Sequence, residues 1–266
     1  MIAEKIYNAM IEFSQLTAIK NGVQKKTYEE MNHAGLSIAK PLLEESIAKK
    51  NVAIIGDRNF SVYMGILGCL YSSNTYVPIN KKYTKNKINK IIQDADIKAF
   101  IFSIDDIGFI KDNLYLFNKI KVAIIPDLPK GFSDSFNFNI FSDSSFENRI
   151  DAPQASNPID DIYIMFTSGS PGEPKGVCVS NDNLNNYLLN FDKSYDLSPG
   201  YNASQTFDLS FDLSVSDIFY TWMKGGGIII LPEQELFCPS DYIKREKINY
   251  ICNGYEYFVP DKNFYL

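Results

Sequence analysis

The sequence holds a single histidine, His33, and four cysteines, Cys69, Cys178, Cys238 and Cys252, which stand far apart with no Cys-x-x-Cys pair. No His/Cys set occurs at metal-ligand spacing, and cysteines so placed read as the reduced thiols of a cytoplasmic protein. His33 is expected as an exposed helix residue. No apolar run approaches the ~20 residues that a bilayer-spanning helix needs, and no charged-then-apolar leader opens the chain, so a membrane is not an expected partner. The 26 Lys and Arg are interspersed among 32 Asp and Glu, for a net charge of -6 and a pI near 5.0. That balance offers no basic field to a nucleic-acid backbone, and nucleic acid is excluded as an expected partner too. Internal repeats and low-complexity tracts are also missing.

What is present is ordinary globular material: 266 residues, 45% hydrophobic and 22% charged, enough for one large or two modest domains. After a helical stretch over about residues 1–16, short β-rich runs alternate with longer amphipathic ones. That is the rhythm of an α/β protein with a mostly parallel sheet. "NVAIIGD", "IKAFIFS", "KIKVAIIPDLP", "DIYIMFT", "GVCVS" and "IIILPE" read as extended runs, and "NTYVPIN" as a segment that leaves a helix through a turn before Lys81. "NFSVYMGILGCLYSS" reads as a helix whose Gly65 and Gly68 permit close packing, and "KNKINKIIQDAD" as another. A third helix, "NLNNYLLNFDKSYD", has Asp182 or Asn183 as its expected cap. A fourth carries Val215, Ile218, Phe219 and Trp222 at helical spacing and stops at Gly225. The composition turns to Ser, Asn, Asp, Pro and Phe around residues 129–161. The expected organisation is therefore a first α/β subdomain over 1–130, a connecting segment over 131–160, a second α/β subdomain over 161–250 and a tail over 251–266.

Between two of the extended runs lies "TSGSPGEPKG". Amides freed by Gly169 and Gly172, the hydroxyls of Thr167, Ser168 and Ser170, and the ammonium of Lys175 supply many donors, little bulk and one positive charge. A polyphosphate needs this set. A Walker loop is excluded, because Lys175 is followed by Gly-Val and an extended run instead of Ser or Thr and a helix. The alternative is a plain hairpin connection with a solvated lysine.

"YIMFTSGSPGEPKGV" resembles the signature of the adenylate-forming enzymes, the AMP-dependent synthetase and ligase superfamily, roughly YxxFTSGSTGxPKGV. Pro171 stands where that family usually has threonine, which removes one hydroxyl and one N–H. "KKTYEEMNHAGLSIAKPL", "GILGCLYSSNTYVPIN" and "QTFDLSFDLSVSDIFYTWMKGGGIIILP" are similar to further segments of the family in the same order, over about residues 20 to 250. The last resembles members that activate amino acids, such as nonribosomal peptide synthetase adenylation domains and D-alanine–carrier protein ligase. The resemblance implies the front portion of a layered, mostly parallel α/β large domain. It also implies the reaction of ATP, with Mg2+, and an amino acid or other carboxylate to aminoacyl-AMP and pyrophosphate, followed by transfer to a carrier protein. On this resemblance Thr167, Ser168, Gly169, Ser170, Gly172 and Lys175 hold phosphates. Asp212 pairs with the substrate amino group, its alternative being a helix cap. Asp208 and Asp217 read as surface or capping residues, and Asn181 replaces a histidine that the family often carries.

The family's "YGPTE" and "YxTGD" segments and its C-terminal lysine have no match here, and after Tyr250 the aromatic-rich tail matches no motif. The reading is of a fragment, a truncated ligase without its own catalytic residues. A non-enzymatic interaction module, or a split ligase completed by a complementing C-terminal half, are the other readings.

Overall fold

The computed structural model describes residues 1–132, 136–142, 149–167, 174–195, 197–236, 239–252 and 257–258. In chain order the helices are α1 (Ile2–Glu12), α2 (Tyr28–Glu44), α3 (Phe60–Tyr71), α4 (Lys85–Asp94), α5 (Ile107–Asp112), α6 (Asn181–Asp192), α7 (Leu213–Met223) and α8 (Ser240–Arg245). The first strands are β1 (Thr17–Asn21), β2 (Gln24–Thr27), β3 (Asn51–Ile55), β4 (Thr75–Ile79), β5 (Ala99–Phe102), β6 (Val122–Ile125) and β7 (Asn139–Ser142). The remainder are β8 (Asp161–Thr167), β9 (Lys175–Ser180), β10 (Asn202–Gln205), β11 (Gly227–Ile230), β12 (Ile251–Cys252) and β13 (Tyr257–Phe258). The chain divides into two compact units, Met1–Ala3 with His33–Asn185, and Glu4–Asn32 with Asn186–Leu266.

The first unit holds a seven-stranded sheet in the order β7-β6-β5-β3-β4-β8-β9. All neighbours pair in parallel except β8 with β9. Strands β3 to β6 and β8 are runs of Val, Ile, Ala, Phe and Tyr buried on both faces, as a parallel sheet covered by helices requires. Phe100 stacks on Phe102 and Phe117 and meets Phe138 edge-on. Phe136 and Phe138, from the Ser- and Asn-rich stretch, thus pack on the core beside edge strand β7. Asn59 caps α3 by accepting a hydrogen bond from Val62 N–H. The two glycines of α3 serve different neighbours. A Cβ at Gly65 would press on Ile101 of β5 at 3.0 Å, and one at Gly68 would fall 2.7 Å from Ile38 Cβ of α2.

The second unit holds a four-stranded sheet, β10-β11-β1-β2, with the first three strands parallel. Thr27 and Glu30 form a capping box: Thr27 Oγ1 accepts from Glu30 N–H, and the Glu30 carboxylate accepts from Thr27 N–H. Tyr28, beside them, is fully buried, and its hydroxyl donates to the carbonyls of Gly226 (2.7 Å) and Thr221 (3.2 Å). It thereby ties the start of α2 to the chain just after α7. Gly225 ends the helix at φ +74°, and Trp222 donates its indole N–H to Ala18 O. Tyr250 lies in parallel against Ala203 of β10, its ring facing those of Tyr201, Tyr195, Phe191 and Tyr220.

Candidate functional site

Because β8 runs parallel to β4, its final residue, Thr167, lies at the sheet edge where the other parallel strands end. The chain returns antiparallel as β9, and the last rung of the ladder pairs Thr167 with Lys175. Cross-strand partners project from the same face, so the two side chains leave the backbone on one face at the mouth of the hairpin, both exposed. Ser168, Gly169, Ser170, Pro171 and Gly172 lie outside the described residues. One rung in, Gly176 faces Phe166, and a Cβ there would sit 3.0 Å from both Ile164 Cγ2 and Phe166 Cζ. The glycine after the lysine lets buried β8 side chains lie across the hairpin, and Gly176→Val is expected to separate the two strands at the lysine end. Faster amide exchange at Phe166 would report it; unchanged protection would contradict it.

A doubly wound sheet ordinarily offers its crevice at the carboxyl ends of the strands where chain order reverses. Here that point lies between β3 and β5 and is filled by the protein's own side chains. Asp106, almost fully buried, accepts from Lys81, which also pairs with Asp57 at 2.8 Å. Gly56, at φ +138°, has no room for a Cβ beside Asp106. Burial holds the Asp106 carboxyl above its ordinary range against the opposing pull of Lys81. Burial draws the Lys81 ammonium down, but bonds from Asp106 and Asp57 outweigh it and leave its pKa raised. Residue spacing offers no sign of this cluster, whose members follow three different strands.

In the second unit, Asp212 occupies the N-cap position of α7 with helical φ and ψ (-62°, -26°), and its side chain makes no capping hydrogen bond. Capping needs an extended backbone at that residue; Asp212 lacks it, and its carboxylate stays exposed. Asp208 accepts from the N–H and hydroxyl of Ser210, a tight turn that leads the chain to exposed Phe211 and then Asp212. Asn181 is structural: it accepts from Ile2 N–H and donates to Asp160 O. Neither Asp182 nor Asn183 is the cap of α6; Ser180 Oγ accepts from Asn183 N–H, and Asn183 returns the bond. His33 is exposed on α2.

Asp217 corrects the expectation of a surface or capping residue. It is 1% exposed, and neither carboxylate oxygen has a hydrogen-bond partner among the described residues. Burial raises its pKa well above the ordinary carboxyl value. Such a group contributes its full stability below the unfolded value of about 3.9 and loses it as pH climbs toward the folded value. Asp217→Asn is therefore expected to unfold like the wild type near pH 4 and to be about 1–3 kcal/mol more stable at pH 8. Urea titrations at the two pH values check this, and coincident curves at pH 8 would contradict it.

A doubly wound α/β sheet whose last hairpin pairs exposed Thr167 with exposed Lys175, in a chain with an exposed carboxylate at a helix start, is the frame of an adenylate-forming ligase. The chain belongs to the AMP-binding enzyme family, which matches residues 8–256. Among curated relatives it is 28% identical to bacitracin synthase 3 of Bacillus licheniformis over 88% of this chain. It is 27% identical to gramicidin S synthase 2 of Brevibacillus brevis over 80% of this chain. It spans 3% and 4% of those relatives' lengths. In fold it is similar to the Vibrio cholerae adenylation domain AlmE, solved in complex with glycyl-adenosine-5'-phosphate, with a TM-score of 0.79 and 24% identity. That likeness covers 94% of this chain and 48% of the AlmE chain. Among the described residues no helix is long and apolar enough to cross a membrane.

Proposed function

We propose that this chain supplies the phosphate-holding and amine-recognising part of an amino-acid adenylation enzyme. The observation that carries the reading is the Thr167–Lys175 rung, which sets a hydroxyl and a cation together at the mouth of a glycine- and serine-rich hairpin. In this reading Thr167, Ser168, Gly169, Ser170, Gly172 and Lys175 bind the phosphates of ATP. The chemistry is positioning and charge stabilisation as a carboxylate oxygen displaces pyrophosphate. Asp212 binds the α-ammonium of the amino acid by a charge-assisted hydrogen bond, a role supported by its exposed carboxylate. In this reading Mg2+ arrives on the phosphates of ATP, which supply oxygen ligands.

The 266 residues contain no match to the family's adenine, ribose and lysine segments. In this reading the hairpin and Asp212 bind ATP and the amino acid, and the groups for adenine, ribose and the catalytic lysine come from outside these residues. A carrier protein is the expected acceptor of the acyl group. The reading is tested by titrating glycyl-adenosine-5'-phosphate, the compound named with AlmE, against the protein. Asp212→Asn should weaken this binding by roughly tenfold or more while leaving ATP binding intact. Equal affinity for the two proteins, or equal loss of ATP binding, would contradict the assignment.

A further inference from the structure

Helix α7 carries Asp212 at its start and is buried from Ser214 through Trp222. It packs on β10 and β11, whose residues, Asn202–Gln205 and Gly227–Ile230, include no ionisable side chain. Asp217 lies in the middle of this helix with both oxygens buried and unpartnered among the described residues. Several phenols stand on and beside these elements. Tyr201, just before β10, has its own ionisation opposed by Asp217. Tyr220 on α7 donates to Asp192 and to Tyr195 O, Tyr250 borders β10, and Tyr28 is bonded to carbonyls at the end of α7. The cation at that end of the helix, Lys224, is paired with Asp192 at 2.8 Å, and Asp208 ahead of the helix is engaged by Ser210. No base among these groups stands ready to balance a charge at Asp217.

We propose that the carboxyl of Asp217 is a positioning group for α7: uncharged, it lets the helix seat on β10 and β11, and charge placed there unseats the helix together with Asp212. The seating of α7 stands on burial and the absent partner alone; its consequence for substrate rests on the ammonium reading of Asp212. The chain contains its own reporter. Trp222 is its only tryptophan, sits on α7 five residues beyond Asp217, is fully buried, and is bonded to Ala18 O.

The test is the emission of Trp222 in the 266-residue protein between pH 4 and 9, followed alongside far-UV circular dichroism. The wild type should shift to the red as pH rises while its secondary structure stays constant. Asp217→Asn, and Asp217→Leu as a second uncharged variant, should remain at the wild type's low-pH position throughout. Asp212→Asn should keep the wild-type profile, which separates failure of this proposal from failure of the ammonium reading. A wild-type emission that does not move with pH overturns the proposal whatever the variants do. So does a red shift that either uncharged variant shares.

Discussion

Gly68→Val is expected to destabilise the first unit by about 3 kcal/mol, the upper end of what overpacking costs in a close-packed interior. At Gly68 the α2–α3 contact leaves no space: the added Cβ would fall 2.7 Å from Ile38 Cβ and closer still to its Cγ2. Ile38 is fully buried, so it has no solvent-side rotamer to move into. The neighbouring glycine of α2, Gly35, is equally confined by Leu67 and Tyr71 at 2.8 and 2.9 Å, so the two helices cannot slide apart locally to make room. Gly108, on α5, provides the control. A Cβ there meets nothing within 4 Å, and Gly108→Ala should be neutral or gain up to about 1 kcal/mol from helix propensity. The urea midpoint of Gly68→Val should therefore fall while that of Gly108→Ala holds or rises, and a Gly68→Val midpoint within error of the wild type would show that the helices are not in contact as described.

Lys175→Ala is expected to weaken ATP binding by roughly tenfold to a hundredfold, the range for losing one hydrogen-bonded charge. Thr167→Ala, its cross-strand partner, should cost about threefold to tenfold, because a neutral donor contributes less. The wild-type affinity should fall as salt rises and that of Lys175→Ala should fall less, since an exposed ammonium is screened. Pro171→Thr, which restores a hydroxyl and an N–H, should strengthen binding by a few-fold. Calorimetric titration at two salt concentrations measures all four, and equal affinity of wild type and Lys175→Ala would remove the hairpin from the account.

Much of this architecture is legible because parallel strands buried on both faces are written as uninterrupted apolar runs. "NVAII", "AFIF", "VAII" and "IYIMF" have no other good reading once bounded by turns. β10 is not legible. "NASQ" contains no β-branched or aromatic residue, and it is a strand because β11 and Tyr250 flank it. The hairpin strand β2, "QKKT", is exposed to half-buried and fixed by pairing with β1. Asp217 misleads for a related reason. A helix buried along its length has no polar face, so periodicity cannot say which way an acid in it points. The signature around Lys175 can be read because it is local, with lysine and threonine brought together by one hairpin. The Lys81–Asp106 pair cannot, because a crossover separates the two residues. Asp212 lies between these cases: its place at the start of a helix can be read, but whether its side chain caps that helix depends on a backbone angle.

The central proposal is that the Thr167–Lys175 hairpin holds the phosphates of ATP. Titration of ATP against the purified 266-residue protein, beside Lys175→Ala in the same buffer, tests it most directly. The predicted result is saturable ATP binding by the wild type that Lys175→Ala weakens by roughly tenfold or more. Equal affinity of the two proteins, or no ATP binding by the wild type, would contradict it.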